Sequence, residues 1–198
     1  TVQGRVSEKR TPVPKTPYAK TKFITEQLIN DYKVYGLKST ILRLFNVAGA
    51  HGFNDLDIGK NVITVLLNLI KDNRLFTLMG NDYPTPDGTC VKDFIHVDDV
   101  TEAIGKSAAK LLEPDTASQT YNLGTGKGTS LGELIRKSID ITGKELKLRI
   151  GAALEDEVPS LIANNTKIKK DLGWAPQKNI DEIITSCWKW ILQNGGKR

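Results

Sequence analysis

A tyrosine and a lysine four residues apart, Tyr18 and Lys22 in Thr16-Pro17-Tyr18-Ala19-Lys20-Thr21-Lys22, hold the most chemistry in this sequence. The segment reads as a helix start, with Thr16 suited to the N-cap and Pro17 to the first helical position. A spacing of four puts both side chains on one face, one turn apart. A free phenol has a pKa of about 10 and is a poor base at neutral pH. A lysine ammonium beside it favours the phenolate. Such a pair suits proton transfer to or from a sugar or alcohol hydroxyl. The same residues also fit an ordinary amphipathic helix with a buried tyrosine and a solvated lysine, and the spacing alone does not separate the two.

Phe45-Asn46 is a second candidate. It follows the apolar run Ser39 to Phe45, which reads as a buried strand of an α/β sheet. Open α/β sheets bind ligands at the carboxyl ends of their strands. Asn46 there offers a donor and an acceptor to a polar ligand, or caps its own turn. Gly124, Gly126 and Gly128 give GxGxG, with Thr129 where a dinucleotide fingerprint needs its third glycine. They read as a strand-to-helix turn. His96, Asp98 and Asp99 supply only one imidazole, and the aspartates stand where a helix needs caps, so no metal site is expected. His51 has no partner in its neighbourhood, and no G-x-S-x-G elbow supports a nucleophilic hydrolase.

These groups need a frame. The helix opened by Thr16 is expected to run to about Tyr35, stopped by Gly36. Residues 1–15 and 46–59 read as loops. A helix over Val62 to Ile70, a strand over Leu75 to Met79, a turn-rich stretch 81–89 and a strand over Val91 to Val97 follow. Asp98 or Asp99 is the expected cap of a helix reaching Leu112. A strand over Gln119 to Leu123 comes next, then a helix opened by the capping box Ser130/Glu133 and closed by Gly143. A strand over Leu146 to Ile150 and helices over Thr166 to Leu172 and Asn179 to Leu192 complete the pattern. Alternating strands and helices argue for an α/β fold with at least partly parallel pairing.

The chain has 198 residues, enough for one sizeable core or for a domain and part of another. Its 39% hydrophobic and 26% charged residues are ordinary for a globular protein. The formal net charge of +5 is mild and its lysines are scattered, so no nucleic-acid partner is expected. No apolar run is long enough to span a membrane. Cys90 and Cys187 form no CxxC and fit a reducing, cytoplasmic setting. The first residue is threonine, so the chain is expected to be processed, truncated or one piece of something larger.

Read in order, YAKTK, LRLFNVAGAH, GNDYPTPDGTCVKDFIHVDDV, YNLGTGKGTS and DLGWAP resemble the UDP-glucose 4-epimerases of the extended short-chain dehydrogenase/reductase family along essentially the whole chain. The resemblance implies the carboxyl-terminal part of a Rossmann-type NAD(P)-binding fold plus the smaller substrate domain. Residues 1–50 would belong to the first and 51–198 mainly to the second, with about 91–124 returning to the first. It implies NAD as cofactor, a UDP-sugar as substrate and a transient 4-keto sugar. Tyr18 would be the base. Lys22 would hold the nicotinamide ribose, and Phe45 would lie beside the nicotinamide. Asn46, Asn61, Thr77, Leu78, Met79, Lys92 and Glu157 would meet the UDP-sugar. Homologs pair the helix that carries Tyr-x-x-x-Lys, so a homodimer is implied, or a partner chain supplying the amino-terminal half. The sequence departs from the family pattern at several places. Lys92 replaces an arginine, Phe94 a tyrosine, and Ala152 to Glu157 stand where the family has Arg-Arg-x-Gly-Asp. The glycine loop for the dinucleotide is absent. These departures also fit a non-catalytic homolog serving as a structural or interaction subunit.

Overall fold

A computed structural model describes residues 4–52, 61–155 and 157–194. Its first long element follows the expected capping chemistry. Helix α1 (Pro17–Asp31) has Thr16 as N-cap, with the Thr16 hydroxyl accepting from the Ala19 amide at 3.2 Å. The helix ends earlier than expected. Tyr32–Tyr35 tighten into a 3-10 turn, and Gly36 closes it at φ 85°, a backbone region that suits glycine.

Before α1 lies β1 (Arg5–Val6), in a stretch expected to be loop. After it come β2 (Thr40–Leu44) and β3 (Asn46–Ala48), the second again in expected loop. Residues 53–60, which take in the end of that expected loop, lie outside the described residues. Helix α2 (Val62–Lys71) and strand β4 (Leu75–Met79) match their sequence signals.

The expected single strand 91–97 is two strands, β5 (Val91–Lys92) and β6 (Phe94–His96), broken at Asp93, and Val97 belongs to the helix that follows. That helix, α3 (Val97–Leu111), is capped by His96, not by Asp98 or Asp99. The His96 Nδ1 accepts the Asp98 amide at 3.1 Å. Asp99 serves elsewhere: its carboxylate accepts the amides of Gln177 and Lys178, and its carbonyl accepts the Trp174 indole N–H.

Strands β7 (Gln119–Leu123) and β8 (Thr129–Ser130) lead into α4 (Leu131–Thr142), where the Ser130 hydroxyl accepts the Glu133 amide at 3.0 Å. Strand β9 (Lys147–Gly151) was expected. Strand β10 (Ser160–Ala163) was not. Helices α5 (Thr166–Leu172) and α6 (Ile180–Asn194) finish the chain. Asn179 and Glu182 cap α6 reciprocally, each side chain accepting from the other's amide.

Strand β2 pairs with β7, β3 with β6 and β4 with β9, all in parallel. A fourth sheet has the order β1-β10-β5-β8, antiparallel only between β5 and β8. The architecture is α/β, as expected. Two hydrophobic clusters divide it. Phe94 joins Leu66, Leu78, Leu134 and Trp188, while its neighbour Ile95 joins Val100, Tyr121, Leu123 and Trp174. Alternation along β6 thus stitches both clusters together. Among the described residues no helix is long and apolar enough to cross a membrane, and no group of three or more His, Cys, Asp or Glu could hold a metal ion. Cys90 and Cys187 are buried free thiols.

Candidate functional site

Tyr18 occupies the first turn of α1 and is 72% exposed. The expected alternative of a buried tyrosine is therefore not what forms. The Lys22 ammonium lies over the Tyr18 ring, 5.4 Å from its centroid. The helix is anchored through Glu26, whose carboxylate takes a bidentate pair of hydrogen bonds from Arg43 on β2. Arg43 also donates to the Glu8 carbonyl at 3.0 Å. No residue of α1 is fully buried, and Ile24, Leu28 and Tyr32 expose half or more of their surface.

Phe45 joins β2 to β3 and donates its amide to the Leu123 carbonyl at 3.0 Å. Asn46 opens β3. Its backbone amide and its Nδ2 both donate to the Asp93 carbonyl, at 3.0 and 3.3 Å. Asn46 therefore does not cap its own turn. It crosses to the break between β5 and β6.

Asn61 caps α2. Its Oδ1 accepts the Ile63 amide at 2.9 Å, and its Nδ2 donates to the Val47 carbonyl at 2.6 Å. Much of its hydrogen-bonding capacity is spent inside the fold. Lys92 and Glu157 are 65 residues apart in sequence and form an ion pair, with side chains 18% and 30% exposed. Glu157 Oε1 also accepts the Val158 amide. Tyr83 holds the preceding loop, its hydroxyl accepting the Leu154 amide at 3.0 Å. Burial pushes the Tyr83 phenol above its usual pKa.

Thr77, Leu78 and Met79 lie on β4. Leu78 points into the core, the Thr77 hydroxyl accepts from Arg149 at 3.3 Å, and Met79 is half-exposed. The structure thus joins Asn46 to Asp93, next to Lys92, and Lys92 to Glu157, while Thr77 to Met79 belong to a separate two-stranded sheet. Lys92 sits in β5, paired with Leu161 of β10.

The His96 neighbourhood has the outline of a Ser-His-Asp triad, and its hydrogen bonds rule that chemistry out. His96 Nε2 lies 3.1 Å from the Ser186 hydroxyl. That hydroxyl already donates to the Ile183 carbonyl and accepts the Ala50 amide. Nδ1 accepts from the Asp98 amide, so the ring is the neutral Nε2–H tautomer and holds the fold together. His51, without a sequence partner, pairs with Asp98 at 2.8 Å. Gly124 and Gly126 form the turn after β7, Gly126 at φ 73°, as the turn reading anticipated.

Asp93 escaped the sequence reading. One signal was there: an acid inside an apolar strand pattern, Val91-Lys92-Asp93-Phe94-Ile95, must find donors if it is buried.

The family model described as GDP-mannose 4,6 dehydratase matches residues 1–187. The chain belongs to this family. Among curated members, the UDP-glucose 4-epimerase of Rhizobium leguminosarum bv. trifolii is 38% identical over 191 residues, covering 93% of this chain and 58% of that protein. The UDP-glucose 4-epimerase of Bacillus subtilis (strain 168) is 32% identical, covering 90% and 55%. The chain spans less than two thirds of the length of the relatives it matches. A crystal structure of the Stenotrophomonas maltophila UDP-glucose 4-epimerase, with bound NAD and formylated UDP-arabinopyranose, superposes with a TM-score of 0.90 at 31% identity, covering 98% of this chain and 60% of that one. The Bifidobacterium longum enzyme, solved with NAD+ and UDP, gives 0.84 at 26%, with coverage of 98% and 60%. Within the GDP-mannose 4,6 dehydratase family, the likeness is thus to the 4-epimerases of the extended short-chain dehydrogenases.

Proposed function

We propose that this chain carries the sugar-nucleotide side and the proton-transfer pair of a UDP-glucose 4-epimerase working with NAD. It corresponds to the last strands and helices of the nucleotide-binding domain, residues 1–50 and about 91–124, and to the smaller substrate domain. The packing of Leu42 and Val47 with Val100, Tyr121 and Leu123 in one hydrophobic cluster supports grouping 1–50 with 91–124. The observation that carries the reading is the convergence of Asn46, Lys92 and Glu157 around the break at Asp93.

NAD fits what is present on α1. Tyr18 and Lys22 stand together on an open face, able to meet a ribose and a sugar hydroxyl. When bound, NAD supplies the hydride acceptor and donor for a sugar carbon. Tyr18 takes the proton of the 4-hydroxyl, and Lys22 holds the ribose. Phe45 would lie beside the nicotinamide. Asn46 meets the sugar, and Asn61 and Lys92 the diphosphate. Glu157 takes the nucleoside ribose, and the backbone of Thr77 to Met79 reads uracil. Cytoplasmic action follows from this substrate class.

The test is turnover of UDP-glucose to UDP-galactose with NAD, by the chain alone and combined with the amino-terminal part of the Rhizobium leguminosarum relative. Interconversion in the combination, lost on Tyr18→Phe, is expected. A second reading, a non-catalytic subunit, is favoured by one observation: Glu157 already neutralises Lys92. Absence of both turnover and UDP binding would establish it over the first.

A further inference from the structure

Asp93 is 0% exposed, and among the described residues its carboxyl oxygens are met by hydrogen bonds from neutral donors. Oδ1 accepts the Thr125 amide at 2.8 Å and the Thr125 hydroxyl at 2.6 Å. Oδ2 accepts the Gly126 amide at 2.9 Å and the Ala163 amide at 3.0 Å. These donors come from the turn after β7 and from β10, both remote in sequence. The backbone carbonyl of the same residue accepts both nitrogens of Asn46. A Cβ on Gly124 would sit 2.7 Å both from Oδ2 and from the Ala163 Cβ, so the glycine of that turn leaves room for the carboxylate and for β10.

We propose that Asp93 is the positioning residue of the nucleotide-sugar site, setting the relation between Asn46 and Lys92. The inference rests on the function proposed above. The carboxylate pins the point where one strand pattern splits into β5, which carries Lys92, and β6, which pairs with Asn46. The carbonyl fixes how Asn46 is turned. With one Nδ2 hydrogen donated to the Asp93 carbonyl, Asn46 is turned so that its Oδ1 can accept from a sugar hydroxyl. One residue thereby orients the hydroxyl acceptor and places the adjoining phosphate cation.

The test compares wild type with Asp93→Asn, using UDP-glucose and UDP as probes and 15N-labelled protein. The asparagine amide would face donors at two of its four contacts and turn the break. The backbone and side-chain amide signals of Asn46 are expected to shift, while the Trp174 indole, held by Asp99, stays in place. UDP-glucose affinity is expected to fall about tenfold, and more than UDP affinity falls. Should Asp93→Asn fail to fold, Thr125→Val removes one donor and is expected to give the same changes in smaller measure. A lowered melting temperature with Asn46 signals at their wild-type positions overturns the proposal. So does a shifted Asn46 with unchanged UDP-glucose affinity. If wild type binds neither probe, the epimerase reading falls, and the Asn46 signals still decide whether Asp93 positions it.

Discussion

At the scale of residues, Tyr18 is open to solvent with the Lys22 ammonium over its ring, so the proposed proton-transfer pair is accessible to a ligand. Tyr18→Phe should lower kcat of the combined enzyme by about a hundredfold or more and leave KM nearly unchanged, since general acid-base catalysis contributes to the transition state alone. Steady-state kinetics in both sugar directions check it. Lys92, the proposed phosphate contact, already holds one carboxylate. Lys92→Met should weaken UDP by about tenfold, from the loss of one charge-assisted hydrogen bond. It should also flatten the salt dependence of binding, measured by calorimetry at two ionic strengths.

At the scale of elements, the chain's local signals and its long-range ones part company. Helix α4 was legible because its capping box stands beside an apolar period, and α2 because its residues are apolar almost throughout. Strands β1 and β10 were not. They are two and four residues long and exist through pairing with each other across the chain. The break between β5 and β6 depends on Thr125, Gly126 and Ala163, all remote from Asp93, and no local pattern encodes it. The Lys92–Glu157 contact likewise joins residues 65 apart. Asn46 was legible as a strand-end ligand candidate, while its partner was not. The cap of α3 shows a subtler failure: two aspartates stood in plausible positions, and the buried imidazole one turn earlier took the role.

That imidazole makes acid stability specific. Burial holds His96 below its ordinary pKa of 6.5, against the opposing pull of Asp98 and Asp99. A histidine whose folded value is depressed adds stability above its unfolded value and loses it as pH falls through the folded value. Melting temperature should therefore drop as pH is lowered from about 6.5, with His51, Lys178 and Glu182 also near the ring's partners. His96→Gln should be less stable at pH 7 and lose part of that acid slope. Thermal melts across the range check it.

At the scale of the molecule, Ile24 and Leu28 of α1 and Tyr32 just after it form an apolar stripe facing outward, and α1 has no fully buried residue. In the proposed enzyme that stripe meets the amino-terminal half or a second subunit. Leu28→Glu should reduce turnover of the combined enzyme at least tenfold, while UDP binding to the chain alone stays at its wild-type value. Turnover titrated with the amino-terminal part, beside calorimetry of the chain alone, separates the two effects. The sugar-nucleotide site itself stands or falls on UDP titrated into the 15N-labelled chain. The account predicts saturable shifts at Asn46, Lys92 and Met79, and little change along α4 and α6. No binding at millimolar UDP, or shifts that leave Asn46 and Lys92 untouched, would contradict it.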